Sequence, residues 1–419
     1  MKKPRTVLIS GVKHKTTNKR SINACIMSIV KEKTDQAIKI LKELDVDLWL
    51  TYVRKTSEIM DPCLYFLTDE SWFTWETAFI ITKKGENIAI CGRYDVPNVN
   101  KNIYKEIIGY DVSIREPLHE VLNRLNPQVI AVNYSIDNIA ADGLTHGMWL
   151  RLNKLLEGTN YAKILISSEK ILGALRGRKT PSELALIKEA IKISQEGHLK
   201  ITEKVKLGMT EKDIEKILME HTIQKNVKVS YPPLINVGSD TAIGHGRGLS
   251  HIKVKQGDLI NIDYGVFYQG YASDIQRLSY ALRDGENEPP EEIKKAFQIV
   301  VKAITKSSEF LRPSVMGWEV DSIARKIVID GGYPEFMHAL GHQIGRNVHD
   351  DGGCLLGPKW EKYGELPFME VEEGQVFTLE LHVFLENHGF CSLEEDVLVT
   401  AEGCQFLSDR QTELKLLKF

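Results

Sequence analysis

Between residues 34 and 165 the chain alternates stretches of helical periodicity with short, unbroken apolar runs. AIKILKELDVD sets its apolar side chains three and four apart, which predicts a helix. DLWLTYV, AFIITKK, NIAICG and QVIAVN are too short for helices and are separated by turn formers. They predict buried strands, and their alternation with helical sequence predicts an α/β layered domain.

The rhythm changes where SSEKILGALRGRKT runs into Pro181, Ser182 and Glu183. Thr180 suits a helix cap, Pro181 the first turn, and Glu183 completes a capping box. Leu184, Ile187, Ile191 and Ser194 then recur at helical spacing. Helical stretches at 181–206 and 210–225 precede strand-like sequence ending near Tyr280, and stretches at 290–310 and 318–331 precede strand-like sequence ending near Thr400. The order helix, helix, strand, strand therefore occurs twice, which predicts an internal duplication. The pattern divides the chain into an arm over 1–33, an α/β domain over 34–168 and a second domain over 169–419.

Composition changes this picture little. At 419 residues and 42% hydrophobic content the chain can build two cores. Its start reads as too short in apolar length for a signal peptide, and no run approaches the roughly 18 uncharged residues of a membrane span. Six scattered cysteines without paired spacing read as reduced, packed thiols in a cytoplasmic protein. Residues 1–33 hold nine Lys/Arg against Glu32 alone, a local balance of +8 in a chain of net charge −3. The reading is a solvated basic terminus, since no aromatic and basic platform for nucleic acid accompanies it.

The carboxylates change more. In LINIDYGVFYQGYASDIQRLSY, Asp263 and Asp274 flank a turn signal at Gln269-Gly270, and in FTLELHVFLENHGFCSLEEDVLVT, Glu380 and Glu395 flank Asn387-His388-Gly389. Residues equidistant from a turn face each other on one side of a hairpin, with Cβ atoms roughly 5 Å apart. The midpoints, 268.5 and 387.5, predict that Asp263 faces Asp274 and Glu380 faces Glu395. Charged groups set among apolar neighbours are rarely buried unless paired or bound to metal. With His342, held between Gly341 and Gly345, they make five ligands of the kinds two hard or borderline divalent ions require. Two such ions sit about 3.5–4 Å apart around a nucleophilic water.

These residues resemble the pita-bread metallopeptidases, the family of methionine aminopeptidase, aminopeptidase P, prolidase and creatinase. IDYG and YASDIQR are similar to its D-x-G and D-I-T-R, GHQIG to G-H-G-I-G, and FTLEL and EEDVLVT to F-T-x-E-P and I-E-D. The resemblance covers residues 170–410 and extends to a creatinase-like amino-terminal domain through DLWLTYV and DPCLYFLTD. LRGRKTPSELALIKEA resembles the junction of the branch that cleaves beside proline.

The resemblance implies an α/β amino-terminal domain followed by an α+β pita-bread domain with a pseudo-twofold repeat. It implies Asp263, Asp274, His342, Glu380 and Glu395 as ligands of two divalent ions per subunit, manganese first, with cobalt, zinc or iron as alternatives. Glu380 would pass a proton from the bridging water to the leaving amine. His245 and His349 would hydrogen-bond the scissile carbonyl, and His338 would line the substrate side. The implied activity is hydrolysis of the amide bond after an amino-terminal residue in Xaa-Pro peptides, by a homodimer without nucleic-acid or membrane partners. A creatinase-like C–N hydrolase and an inactive binding protein on the same fold are the alternatives. The chain departs from the family pattern in three places: Gln276 replaces threonine in D-I-T-R, Leu381 to Phe384 replace the P-G-I-Y that follows the first glutamate, and Leu393 falls where an arginine stands two residues before the second glutamate.

Overall fold

Two buried faces explain the unbroken apolar strands. The computed structural model of the chain describes residues 17–69, 72–239 and 251–419. Its amino-terminal part runs α1 (Thr17–Glu43), β1 (Leu48–Val53), β2 (Thr77–Thr82), β3 (Asn87–Gly92), β4 (Glu106–Tyr110), α2 (Arg115–Leu125), β5 (Ile130–Val132), α3 (His146–Leu155), β6 (Leu165–Ser167) and α4 (Glu169–Gly177). The sheet order is β4-β3-β2-β1-β5-β6, with β2 antiparallel to both β1 and β3 and the other pairings parallel. Trp49, Phe79 and Ala89 pack on one face with Ile40 and Leu41 of α1 and Leu172 of α4. Leu50, Ile80 and Ile90 pack on the other with Leu118 of α2 and Leu152 of α3. With both faces covered, polar alternation has no place in β1 or β2.

The strand-like runs at 47–53, 78–84, 87–92 and 128–133 all become strands. The edge strands β4 and β6 escape the pattern because they are short and half-exposed. The arm expected over 1–33 differs more: α1 begins at Thr17 and passes straight through the 33/34 boundary. Lys33 is fully buried, 2.6 Å from Glu183 Oε2, and donates to the Leu175 carbonyl. The expected 168/169 boundary falls just before α4, whose Ile171, Leu172 and Leu175 lie in the amino-terminal core.

The second part runs α5 (Pro181–Lys204), α6 (Glu211–Gln224), β7 (Lys228–Val229), β8 (Leu234–Val237), β9 (Leu259–Asp263), β10 (Val266–Tyr268), β11 (Tyr271–Ala272), β12 (Gln276–Ala281), α7 (Glu291–Phe310), α8 (Gly317–Asp330), β13 (Val376–Leu385), β14 (Gly389–Thr400), β15 (Gly403–Phe406) and β16 (Lys415–Leu417). Thr180 and Glu183 form the capping box that starts α5, and α7 buries Ile293, Ala296, Phe297, Val300 and Ile304 at helical spacing. Two sheets carry the site: β16-β12-β9-β8 and β13-β14-β15. Helix, helix and strands recur in order in both halves, the arrangement expected of the pita-bread fold.

Candidate active site

The first hairpin turns on Gln269 and Gly270, whose φ angles of +48° and +82° suit a two-residue primed turn. Tyr268 therefore faces Tyr271, and further along Asp263 faces Gln276. The centre lies one residue later than expected, so Asp274 is the diagonal neighbour of Asp263, not its direct partner. A two-residue offset keeps both on the same side of the sheet. Tyr231 Oη reaches Asp263 Oδ1 and Asp274 Oδ1 together.

The second hairpin corrects the expected set. Leu385 faces Gly389, which places Glu380 opposite Glu394 and Glu395 opposite Leu379. Glu395 therefore points to the other side of β14, since a one-residue change of register reverses every side chain. There it is buried with Arg277 Nη2 at 3.0 Å, Ser408 Oγ and the Gln411 amide at 2.8 Å. Glu394 takes the place expected for Glu395. The position two residues before the facing glutamate is consequently Ser392, and Leu393 is a core side chain.

Between the hairpins stands His342. A Cβ at Gly341 would lie 1.9 Å from the Thr378 carbonyl, so glycine permits the strand-like approach that brings the histidine in. Its Nε2 is 3.6 Å from Asp274 Oδ2 and 3.7 Å from Glu380 Oε1. Asp274, His342 and Glu394 each offer a ligand atom, all within 4.8 Å of one another. Both oxygens of Glu394 are buried without a hydrogen-bond partner among the described residues.

Crowding shows in the proton affinities. Burial, then Glu380, pushes Asp274 up to about 8, and burial, then Asp263, pushes Glu380 up to about 8. Asp263 and Glu394 are raised well above the carboxylate range, by burial first and Asp274 second. Burial, reinforced by His349, lowers His342 to about 3. Among the described residues no lysine or arginine pairs with any of the four carboxylates. Hard oxygen donors with one imidazole, concentrated negative charge and orphaned carboxylate oxygens fit divalent cations.

His349 crosses His342 edge-on with ring centroids 4.2 Å apart. His338, in the segment before Gly341, stacks on His382 of β13 with ring centroids 5.1 Å apart and its Nε2 3.1 Å from His382 Nδ1. His382 thus belongs to the wall that His338 lines, whereas the buried His388 is tied to Glu292 at 2.7 Å. His245 lies outside the described residues. Asp350, next to His349, fixes this loop: Arg176 reaches its Oδ1 at 2.6 Å and Lys179 its Oδ2 at 3.1 Å. Reasoning from sequence passed over Glu394, Tyr231 and the Arg176–Asp350 contact. Glu394 was visible as one of three consecutive acids, but only the register separates it from Glu395.

The sequence profile of metallopeptidase family M24 matches residues 185–401. Xaa-Pro dipeptidase from Pyrococcus horikoshii is 28% identical over 274 residues, 65% of this chain and 72% of that protein. The structure of X-Pro aminopeptidase from Thermotoga maritima aligns with TM-score 0.66 and 25% identity over 91% of this chain and 99% of its own. Dipeptidase PepE from Mycobacterium ulcerans aligns with TM-score 0.71 over 94% of this chain and 99% of its own, at 19% identity a likeness of fold alone. With more than half of its length matched by the profile, the chain belongs to metallopeptidase family M24.

Proposed function

We propose that the protein is a dinuclear metal-dependent exopeptidase that releases the amino-terminal residue from Xaa-Pro peptides. The observation that carries this reading is the convergence of four carboxylates, Asp274 and Glu394 buried and Asp263 and Glu380 half-buried, with His342 and, among the described residues, no lysine or arginine paired to them. Asp263, Asp274, His342, Glu380 and Glu394 would hold the ions, with Glu394 in the place first assigned to Glu395. Two divalent ions there supply Lewis acidity and a water of lowered pKa. Manganese is the first ion to test, since carboxylate-rich sites suit it, with cobalt, zinc and iron as alternatives.

The remaining roles belong to the chain. Glu380 is more accessible for carrying a proton than Asp274, its side chain 22% exposed against 7%. His349 stands against His342, where it can donate to a carbonyl developing negative charge. His338 and His382 line the adjoining wall. His245 is assigned the second carbonyl contact on the family resemblance. The preference for proline rests on the relatives, one named Xaa-Pro dipeptidase and one X-Pro aminopeptidase.

The unpaired thiols Cys63, Cys91, Cys354, Cys391 and Cys404 support a cytoplasmic setting. Exposed Trp72, Trp75 and Tyr94 offer apolar surface for a homodimer. The deciding experiment measures bound metal, then cleavage of Xaa-Pro dipeptides and Xaa-Pro-Xaa peptides with manganese, cobalt or zinc. Wild-type cleavage should fall by about 10²–10⁴ in Glu380→Ala, the usual range for lost proton transfer. Intact substrates of both kinds with every metal would end the peptidase reading.

A further inference from the structure

Two of the positions at which this chain departs from the family motifs touch each other and reach Glu380, and we infer that Gln276 is a positioning residue for Glu380. The inference rests on the metallopeptidase reading above. Gln276 sits on β12 with its backbone opposite Asp263. Its Nε2 donates to Glu380 Oε2 at 3.4 Å, and among the described residues no other hydrogen-bond donor reaches that carboxylate. Ser392, on β14 opposite His382, donates from Oγ to Gln276 Oε1 at 2.5 Å.

The serine fixes which way the amide faces. With a hydroxyl donating to Oε1, the NH₂ end is left for Glu380, whereas the reversed amide would set its oxygen against a carboxylate. Both side chains are buried, Gln276 at 9% and Ser392 at 5% exposure, so solvent does not readily replace either contact. The chain thereby crosses from the sheet that carries Asp263 and Asp274 to the hairpin that carries Glu380 and Glu394.

This connection answers a physical need. Four like charges on two separate hairpins repel, and nothing in the repulsion selects one spacing. Arg277, the next residue, reaches the Glu394 carbonyl at 2.8 Å and Glu395 at 3.0 Å on the outer face. Gln276 supplies the matching tie on the inner face, at the one carboxylate assigned to move a proton. Its 3.4 Å contact is long, so it acts as a restraint on orientation rather than a strong anchor.

The test compares Gln276→Leu, Ser392→Ala and Ser392→Thr in the full-length protein. Leucine keeps much of the volume, and the freed Ser392 hydroxyl still has the Leu381 carbonyl at 3.2 Å, so the variant should fold. Stripped protein is titrated calorimetrically with manganese alone, and the loaded protein is assayed on one Xaa-Pro-Xaa peptide. For Gln276→Leu the weaker manganese affinity and kcat should each fall about 10-fold, as for other lost outer contacts to metal ligands, with KM little changed. The midpoint of thermal unfolding of the stripped protein should stay within about 2 °C of wild type. Ser392→Ala should move in the same direction, and Ser392→Thr, which keeps the hydroxyl, should restore both quantities. A wild-type isotherm and kcat in Gln276→Leu would overturn the inference, as would losses that merely follow a lowered unfolding midpoint. Wild-type protein that takes up no manganese would instead overturn the functional reading, so the two failures are distinct.

Discussion

Seven acids withdrawn from solvent in this molecule fall into two groups set apart by what faces them. Asp350 lies between Arg176 and Lys179, Glu183 beside Lys33, and Glu395 beside Arg277. Asp263, Asp274, Glu380 and Glu394 face one another, Tyr231 and a histidine whose proton affinity burial has depressed. For Asp350, Glu183 and Glu395 the fold brings the matching cation, and for the buried Asp61 and Asp95 it brings amide donors. Where it brings none, the neutralising charge must come from protons or from outside, because uncompensated buried charge is the costliest arrangement available to it. The site is legible as the place where the chain's own electrostatics do not close.

The largest expected difference between the groups separates neighbours on β14. Glu394→Gln should remove an ion ligand and reduce cleavage by about 10²-fold or more, reading lost ligation as a loss of catalysis of several kcal/mol. Glu395→Gln should keep both metal uptake and most activity, but lose about 1.5–3 kcal/mol of stability with its charged hydrogen bonds to Arg277 and Ser408. Metal analysis and thermal melts of the two variants decide the matter. Normal metal content in Glu394→Gln and its loss in Glu395→Gln would return the site to the register first expected.

That pair also shows how far sequence reaches here. Both hairpins were located by their turn residues, and both centres were slightly misplaced. At Gln269-Gly270 the centre moved by one residue and the partners by two, so Asp263 and Asp274 kept a common face. At 386–388 the centre moved by half a residue and the partners by one, which exchanged Glu395 for Glu394. Strand period 2 makes the smaller error the more damaging one. The strands of the amino-terminal sheet were readable because burial on both faces writes continuous apolar runs, while β4 and β6, exposed on one edge, left no such trace. The course of α1 through Lys33 could not be read, since a buried lysine looks like a surface one until Glu183 stands opposite it.

Breaking the compensated group at Asp350 should act on stability. Arg176→Met leaves Asp350 buried with Lys179 as its remaining cation and removes the donors to the Pro62 carbonyl and Tyr65. The expected loss is about 3–5 kcal/mol, the usual result of removing one partner from a buried ion pair. Glu394→Gln in stripped protein should do the opposite and leave stability unchanged or improved, because an amide is neutral there without taking up a proton. Equal destabilisation by the two substitutions would erase the distinction between the groups.

The groups also respond oppositely to pH. Burial pushes Asp350 up, but Arg176 and Lys179 outweigh it and hold it below the usual range, so its contribution is present above the unfolded value of 3.8 and lost in acid. Asp274 and Glu380 are raised from 3.8 and 4.5 to about 8, so the stripped fold keeps protons that the unfolded chain has released. Their contribution is present at low pH and lost as pH rises through about 8. Each proton so held between pH 6 and 8 should cost stripped protein about 2 kcal/mol of stability over that window. Bound metal displaces those protons, so melts of loaded protein should be flat over the same range and metal affinity should rise with pH. A flat profile for stripped protein would show that the four acids do not interact as their geometry requires.

The smallest effect tests whether the boundary between the parts matters to the site. Thr180 caps α5 through the Glu183 amide, while Glu183 returns a hydrogen bond to the Thr180 amide and pairs with Lys33. Thr180→Ala should cost about 1 kcal/mol for the lost cap. It leaves the Glu183 carboxylate, Lys33 and the Arg176–Asp350 contact in place, so metal affinity and kcat should match wild type. The cap belongs with the compensated charges as a device of architecture, and a fall in metal affinity from its removal alone would show that the two groups of acids are coupled through the start of α5.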